Sequence, residues 1–132
     1  MERLMGRLKT KITILAAILL LGITGLTTSY GWEPKLAQVV YITLSKACSC
    51  TLELCQAGDI IVGNVFTGER KRLLKRLDYS TDKEAAKVYV KQYHITQAPA
   101  LLFLDAQGNV LWMALGELTE KDITDKLSQF GS

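Results

Sequence analysis

The sequence holds one histidine, two prolines and three cysteines in 132 residues. A lone histidine, His94, cannot complete a zinc site of the kind that draws four ligands from two separated pairs. Three cysteines, all between Cys48 and Cys55, are too few and too clustered to staple a small secreted scaffold, and an odd number cannot pair within one chain. Internal repeats and low-complexity segments are absent, and the length leaves room for one domain of about a hundred residues, enough to bury a stable core without staples.

Charge is missing in two places. Residues 12–32 carry none, and residues 33–132 carry twelve basic and twelve acidic side chains, hence no net charge. The formal +3 of the chain therefore resides in residues 1–11, where Arg3, Arg7, Lys9 and Lys11 face only Glu2. A neutral domain has no general attraction for polyanions, so nucleic acid is excluded as a partner. The basic start reads instead as a topology signal.

What is present begins with that uncharged stretch. Its centre, Ile14 to Leu26, is almost wholly aliphatic, and about twenty residues at 1.5 Å each cover the roughly 30 Å hydrocarbon layer of a bilayer. Thr27, Thr28 and Ser29 would lie near the far interface, with Tyr30 and Trp32 as aromatic anchors. Residues 1–34 are thus expected to form a cytoplasmic basic stub and a single-pass signal-anchor, touching the membrane through residues 12–32. The alternative is a signal peptide cleaved near Ser29-Tyr30-Gly31, which would release the domain. Either way residues 35–132 are expected outside the cytoplasm, in a periplasmic or extracellular setting where disulfide chemistry is possible.

Within the domain, Leu36 to Leu44 has the Val, Tyr, Ile and Thr content of a buried strand. Leu52, Cys55, Ile61, Val62, Val65 and Phe66 recur near helical spacing after Cys48, with Gly58 and Gly63 predicting a bend around Ala57 to Asp59. Arg70 to Asp78 is expected to be a second strand. Thr81 and Glu84 have capping-box spacing ahead of a helix from Asp82 to Tyr93. Leu101 to Leu104 and Val110 to Ala114, joined by Asp105-Ala106-Gln107-Gly108-Asn109, predict an antiparallel hairpin. Thr119 would cap a last helix carrying Ile123, Leu127 and Phe130 on one side. The predicted order is β-α-β-α-β-β-α.

Two landmarks sit in that order. Val39-Val40-Tyr41-Ile42-Thr43-Leu44-Ser45-Lys46-Ala47-Cys48 leads a strand into a cysteine, and Ala98-Pro99-Ala100-Leu101-Leu102-Phe103-Leu104-Asp105, followed by Gly108, places a proline before the hairpin. With them the chain resembles the thioredoxin superfamily over nearly all of residues 36–130. The resemblance implies an α/β domain with a central mixed sheet flanked by helices. It also implies a cis-proline loop in which Ala98 and Pro99 hold an extended substrate, and a nucleophile at Cys48. The motif departs from the usual Cys-x-x-Cys, being Cys48-Ser49-Cys50. Ala47 stands where a tryptophan is common, and the buried acid of many members falls at Ile42.

These readings predict a thiol–disulfide oxidoreductase acting on protein thiols or disulfides together with a redox partner protein, and calling for no cofactor. Cys48, at a helix amino terminus where free N–H groups and the dipole favour a thiolate, would attack, and Cys50 would resolve. Lys46 would add a nearby positive charge. On a continuous helix Cys48 and Cys55 stand about 10 Å apart, beyond the roughly 7 Å reach of a disulfide, so Cys55 reads as core. Two other classes remain open: a carrier binding a soft metal or metalloid through Cys48, Cys50 and Cys55, and a redox-inactive interaction domain. His94 reads as a surface residue at a helix end, Trp112 as core or sheet surface. Arg70, Lys71, Arg72, Lys75 and Arg76 read as a solvated face, or as a contact for anionic lipid or an acidic partner.

Overall fold

The computed structural model describes Gly31 and residues 33–131. The basic stub and the apolar segment of residues 12–32 lie outside the described residues but for Gly31. Among the described residues no helix is long and apolar enough to cross a membrane.

Strand β1 (Gln38–Thr43) is the keel of the domain. It pairs in parallel with β2 (Leu74–Asp78) and antiparallel with β3 (Ala100–Leu104), and β3 pairs antiparallel with β4 (Val110–Leu115), giving the order β2-β1-β3-β4. Helix α1 (Ser49–Val65) crosses between β1 and β2, α2 (Lys83–Gln92) lies between β2 and β3, and α3 (Glu120–Phe130) closes the chain. Both faces of the central strands are covered, which is why β1 and β3 read as apolar runs rather than alternating ones.

Alternation decides which face each residue serves. Val39, Tyr41, Leu101 and Phe103 pack with Val62, Val65 and Phe66 at the end of α1 and with Ile123 and Leu127 of α3. Val40, Ile42, Ala100, Leu102 and Leu104 pack on the other side against Ala86, Tyr89 and Val90 of α2. Phe103 is fully buried between the edges of Phe66 and Trp112, with ring centroids at 6.5 and 5.2 Å. Trp112 is thus half-buried sheet surface packed on the core, as expected.

Three local expectations need correction. The helix after Cys48 runs unbroken for 17 residues through Gly58. That glycine serves packing: a Cβ there would lie 2.8 Å from the Tyr41 hydroxyl, 3.1 Å from Pro99 Cγ and 3.4 Å from Leu118 Cδ1. The helix accepts the roughly 1 kcal/mol propensity loss in exchange for close approach to the sheet. Second, only Leu74–Asp78 of the Arg70–Asp78 stretch is strand. Residues Gly68–Leu73 form a 3₁₀ helix, entered through Gly68 at φ +57°. Third, Thr81 and Glu84 form no capping box. Asp82 is the N-cap of α2, and its carboxylate accepts from the Asp78 N–H at 3.3 Å.

The other signals act as read. The Thr119 hydroxyl accepts from the Asp122 N–H at 3.2 Å and caps α3. Asp105 Oδ1 accepts from the N–H groups of Gln107 and Asn109 at 2.9 and 2.8 Å, with Gly108 at φ +81° completing the hairpin turn.

Candidate active site

Cys48 is the N-cap of α1, with the extended φ −63° and ψ 157° that set the helix running from the next residue. Its carbonyl accepts the first helical bond, from Leu52 N–H at 3.0 Å, and its sulfur lies exposed 3.2 Å from the Thr51 hydroxyl. Hydrogen bonding by that hydroxyl draws the Cys48 thiol below its ordinary pKa, with the Thr51 N–H and the Cys50 thiol adding to the effect. Cys50 is exposed two residues on, and both are free thiols. Cys55 is also free but fully buried, as core.

The loop that delivers Cys48 is fastened to the far side of the sheet. The Ser45 N–H donates to Asp78 Oδ1 and Ser80 Oγ, both at 3.2 Å, the Lys46 N–H donates to Ser80 Oγ at 3.0 Å, and the Tyr79 N–H donates to the Thr43 carbonyl at 2.9 Å. Partial burial would raise the Asp78 pKa, but hydrogen bonds from Ser45 and Ser80 outweigh it and hold the carboxyl below its usual range. Lys46 thus contributes its backbone here. Sequence reading missed this fastening: it gave Asp78 only as the end of a strand and Lys46 only as a nearby positive charge.

The Ala98–Pro99 peptide is cis. Pro99 is fully buried, and its carbonyl accepts from Gly116 N–H at 2.8 Å. Because Ile42 pairs with Ala100, the antiparallel register runs Ala98 alongside Leu44, at the same end of the sheet as Cys48. Ala98 is half-buried, and among the described residues its N–H and C=O take no backbone partner. Beside it Ile42, Leu44, Tyr79, Val90 and Ile95 line a cavity of about 160 Å³.

Solved structures share this architecture. The DsbH oxidoreductase superposes with a TM-score of 0.50 at 16% identity, over 75% of this chain and 74% of its own. The domain has the thioredoxin-like fold. Trxlp from Edwardsiella tarda (TM-score 0.48, 19% identity, 69% of this chain and 82% of its own) is similar at a lower score. So is the C-terminal domain of DsbD from Neisseria meningitidis (0.46, 16%, 74% and 84%). No family profile and no curated relative matches the sequence.

Within this thioredoxin-like domain, Cys48, Cys50, Ala98 and Pro99 gather at one end of the sheet, while Cys55 stands apart in the core. Among the described residues no three His, Cys, Asp or Glu side chains are placed to hold a metal ion, so the three cysteines are not brought together as a soft-metal site would need. Ile42 faces α2, so it does not look toward the cysteine helix. Tyr41 and Thr43 do. The buried Tyr41 hydroxyl donates to Asp59 Oδ1 at 2.8 Å, and Asp59 Oδ2 accepts from Arg76 at 3.1 Å. Burial and the Asp59 carboxylate push the Tyr41 phenol well above its ordinary pKa. Among the described residues Thr43 Oγ1 is buried without a hydrogen bond of good geometry, beside a cavity of about 220 Å³ that Gln56, Asp59, Arg76 and Asp78 also line. The carboxylates beside this cavity therefore come from α1 and β2 and not from β1. His94, exposed at φ +52° just past α2, is a helix-end residue as expected.

Proposed function

We propose that this chain is a membrane-tethered thiol–disulfide oxidoreductase that acts on protein cysteines outside the cytoplasm. The observation that carries the reading is Cys48 at the start of α1, exposed, hydrogen-bonded by Thr51 and drawn toward its thiolate, with Cys50 beside it. The free backbone of Ala98 at the same end of the sheet suits an extended substrate chain, which would add to it as a strand does. The uncharged residues 12–32 behind a basic start support the tether, with the amino terminus cytoplasmic.

In the reducing direction the Cys48 thiolate attacks one sulfur of a substrate disulfide. That S–S bond breaks, and the other substrate sulfur leaves as a thiolate that takes a proton from water. The Cys50 thiolate then attacks Cys48 Sγ, forming the Cys48–Cys50 disulfide and releasing the second substrate thiol. Two electrons have passed from the pair to the substrate, and a redox partner protein with a dithiol restores them by the same exchange. Run backwards, the sequence oxidises a substrate dithiol.

The test is trapping. With Cys50→Ser the mixed disulfide between Cys48 and a peptide disulfide should accumulate and be visible by mass spectrometry, whereas Cys48→Ser should give none. Equal trapping in both variants would defeat the assignment. For the tether, the full chain should stay with membranes through alkaline extraction, and its domain should be open to protease added from outside.

A further inference from the structure

The domain has two ends, and its charges are not shared evenly between them. β1 and β2 run parallel from Val39↔Leu74 to Thr43↔Asp78, so both begin at one end, opposite the end that carries Cys48 and Ala98. The 3₁₀ helix Gly68–Leu73 leads into β2 at that starting end. The hairpin turn and the end of α3 lie there too, because Ala37 N–H bonds to the Leu104 carbonyl and Leu36 N–H to the Phe130 carbonyl, both at 2.9 Å.

Although residues 33–132 are neutral as a whole, Arg70, Lys71, Arg72 and Lys75 are all exposed at this end. The acidic groups near them do not cancel the excess. Glu69 pairs with Arg72 at 3.1 Å with both side chains at least 80% exposed, where such a pair is weak. Asp105 keeps its charge within its turn, and with Glu33 and Glu69 it stands against Lys35, Arg70, Lys71, Arg72 and Lys75, five positive groups against three negative ones. Lys75 also sits over the Tyr89 ring at 5.2 Å, which holds its ammonium at the surface.

Only residues 33–37 separate the uncharged segment from β1, and five residues span at most roughly 18 Å. If residues 12–32 enter a bilayer, the cationic end cannot move far from the surface. Tethering then converts a weak attraction into a standing contact.

We propose that Arg70, Lys71 and Arg72 rest on the anionic phospholipid headgroups of that membrane. The domain then stands with Cys48 facing outward, about 20 Å away along the length of β1. The proposal rests on the tether described above. Its consequence is a preference for protein partners that approach from the aqueous side.

The experiment is amide hydrogen exchange of the full chain in phosphatidylcholine vesicles and in vesicles with about one lipid in four replaced by phosphatidylglycerol. Exchange over residues 68–75 should slow severalfold in the anionic vesicles only. The slowing should vanish with the triple variant Arg70→Gln, Lys71→Gln, Arg72→Gln and at high salt, while α1 is unaffected. Equal exchange in both vesicles, with the chain still resisting alkaline extraction, would overturn the lipid contact alone. Protection induced by polyglutamate but not by phosphatidylglycerol would reassign the patch to an acidic polypeptide. Release of the chain by alkali would overturn the tether and this contact together.

Discussion

The Thr51 hydroxyl lies 3.2 Å from the Cys48 sulfur, one turn into the helix that Cys48 begins. Donation from that hydroxyl stabilises the thiolate and does nothing comparable for the thiol, so the contact draws the Cys48 pKa down. Thr51→Val keeps the shape and removes the donor. The Cys48 pKa should rise, and its alkylation by iodoacetamide at neutral pH should slow about twofold to fivefold. The measurement is alkylation rate against pH, followed by mass spectrometry. An unchanged profile would show the hydroxyl to be a bystander.

Asp78 should matter to the geometry of the cysteine loop. Asp78→Ala removes the acceptor for the Ser45 and Ser80 N–H groups at 3.2 and 2.8 Å. The expected loss is about 1 kcal/mol of stability, with faster amide exchange at Ser45 and Lys46. Asp78 titrates below its unfolded value, so its contribution is present above the unfolded carboxyl pKa of about 3.9 and is lost as pH falls through the folded value. The variant should therefore lose less stability than the parent between neutral pH and strong acid, as read by urea denaturation across that range.

Tyr41 and Asp59 should be energetically coupled. Asp59→Ala removes the shorter bond of the buried Tyr41 hydroxyl and leaves it the longer one to the Cys55 carbonyl at 3.3 Å, which should cost about 1–2 kcal/mol. Tyr41→Phe together with Asp59→Ala should cost less than the two single changes added, because each single change already breaks the same bond. Additive costs in a double-mutant cycle would mean that the bond contributes nothing.

His94 occupies the left-handed region at φ +52°, and Ile95 N–H bonds back to the Val90 carbonyl at 3.0 Å, the pattern of a helix closed by a residue that is usually glycine. His94→Gly should raise stability by about 1 kcal/mol and the thermal midpoint by several degrees. A lowered midpoint would assign the imidazole a contact of its own.

Much of this fold was legible because its signals are local. The β-rich run into Cys48, the Asp-x-Gln-Gly-Asn turn and the Thr119 cap each depend on a few neighbouring residues. The cis peptide before the hairpin was legible through the family resemblance. What was not legible depends on contacts far apart in sequence. Gly58 looked like a helix breaker because its partners, Tyr41, Pro99 and Leu118, are brought to it only by the sheet. The family resemblance put the acid position at Ile42, but alternation along β1 turns Ile42 toward α2 and leaves Tyr41 and Thr43 facing α1. The fastening of Ser45 and Lys46 to Asp78 and Ser80 spans more than thirty residues, and neither half announces the other.

Under the proposed function Cys48 and Cys50 exchange two electrons with a substrate. The most direct test is the reduction potential of residues 33–132, by glutathione-buffer titration with mass-spectrometric thiol trapping. A two-electron couple within the range of known oxidoreductases, roughly −120 to −270 mV, is expected, abolished by Cys50→Ser and retained by Cys55→Ser. If no disulfide forms between Cys48 and Cys50 at any glutathione ratio, the oxidoreductase reading is contradicted.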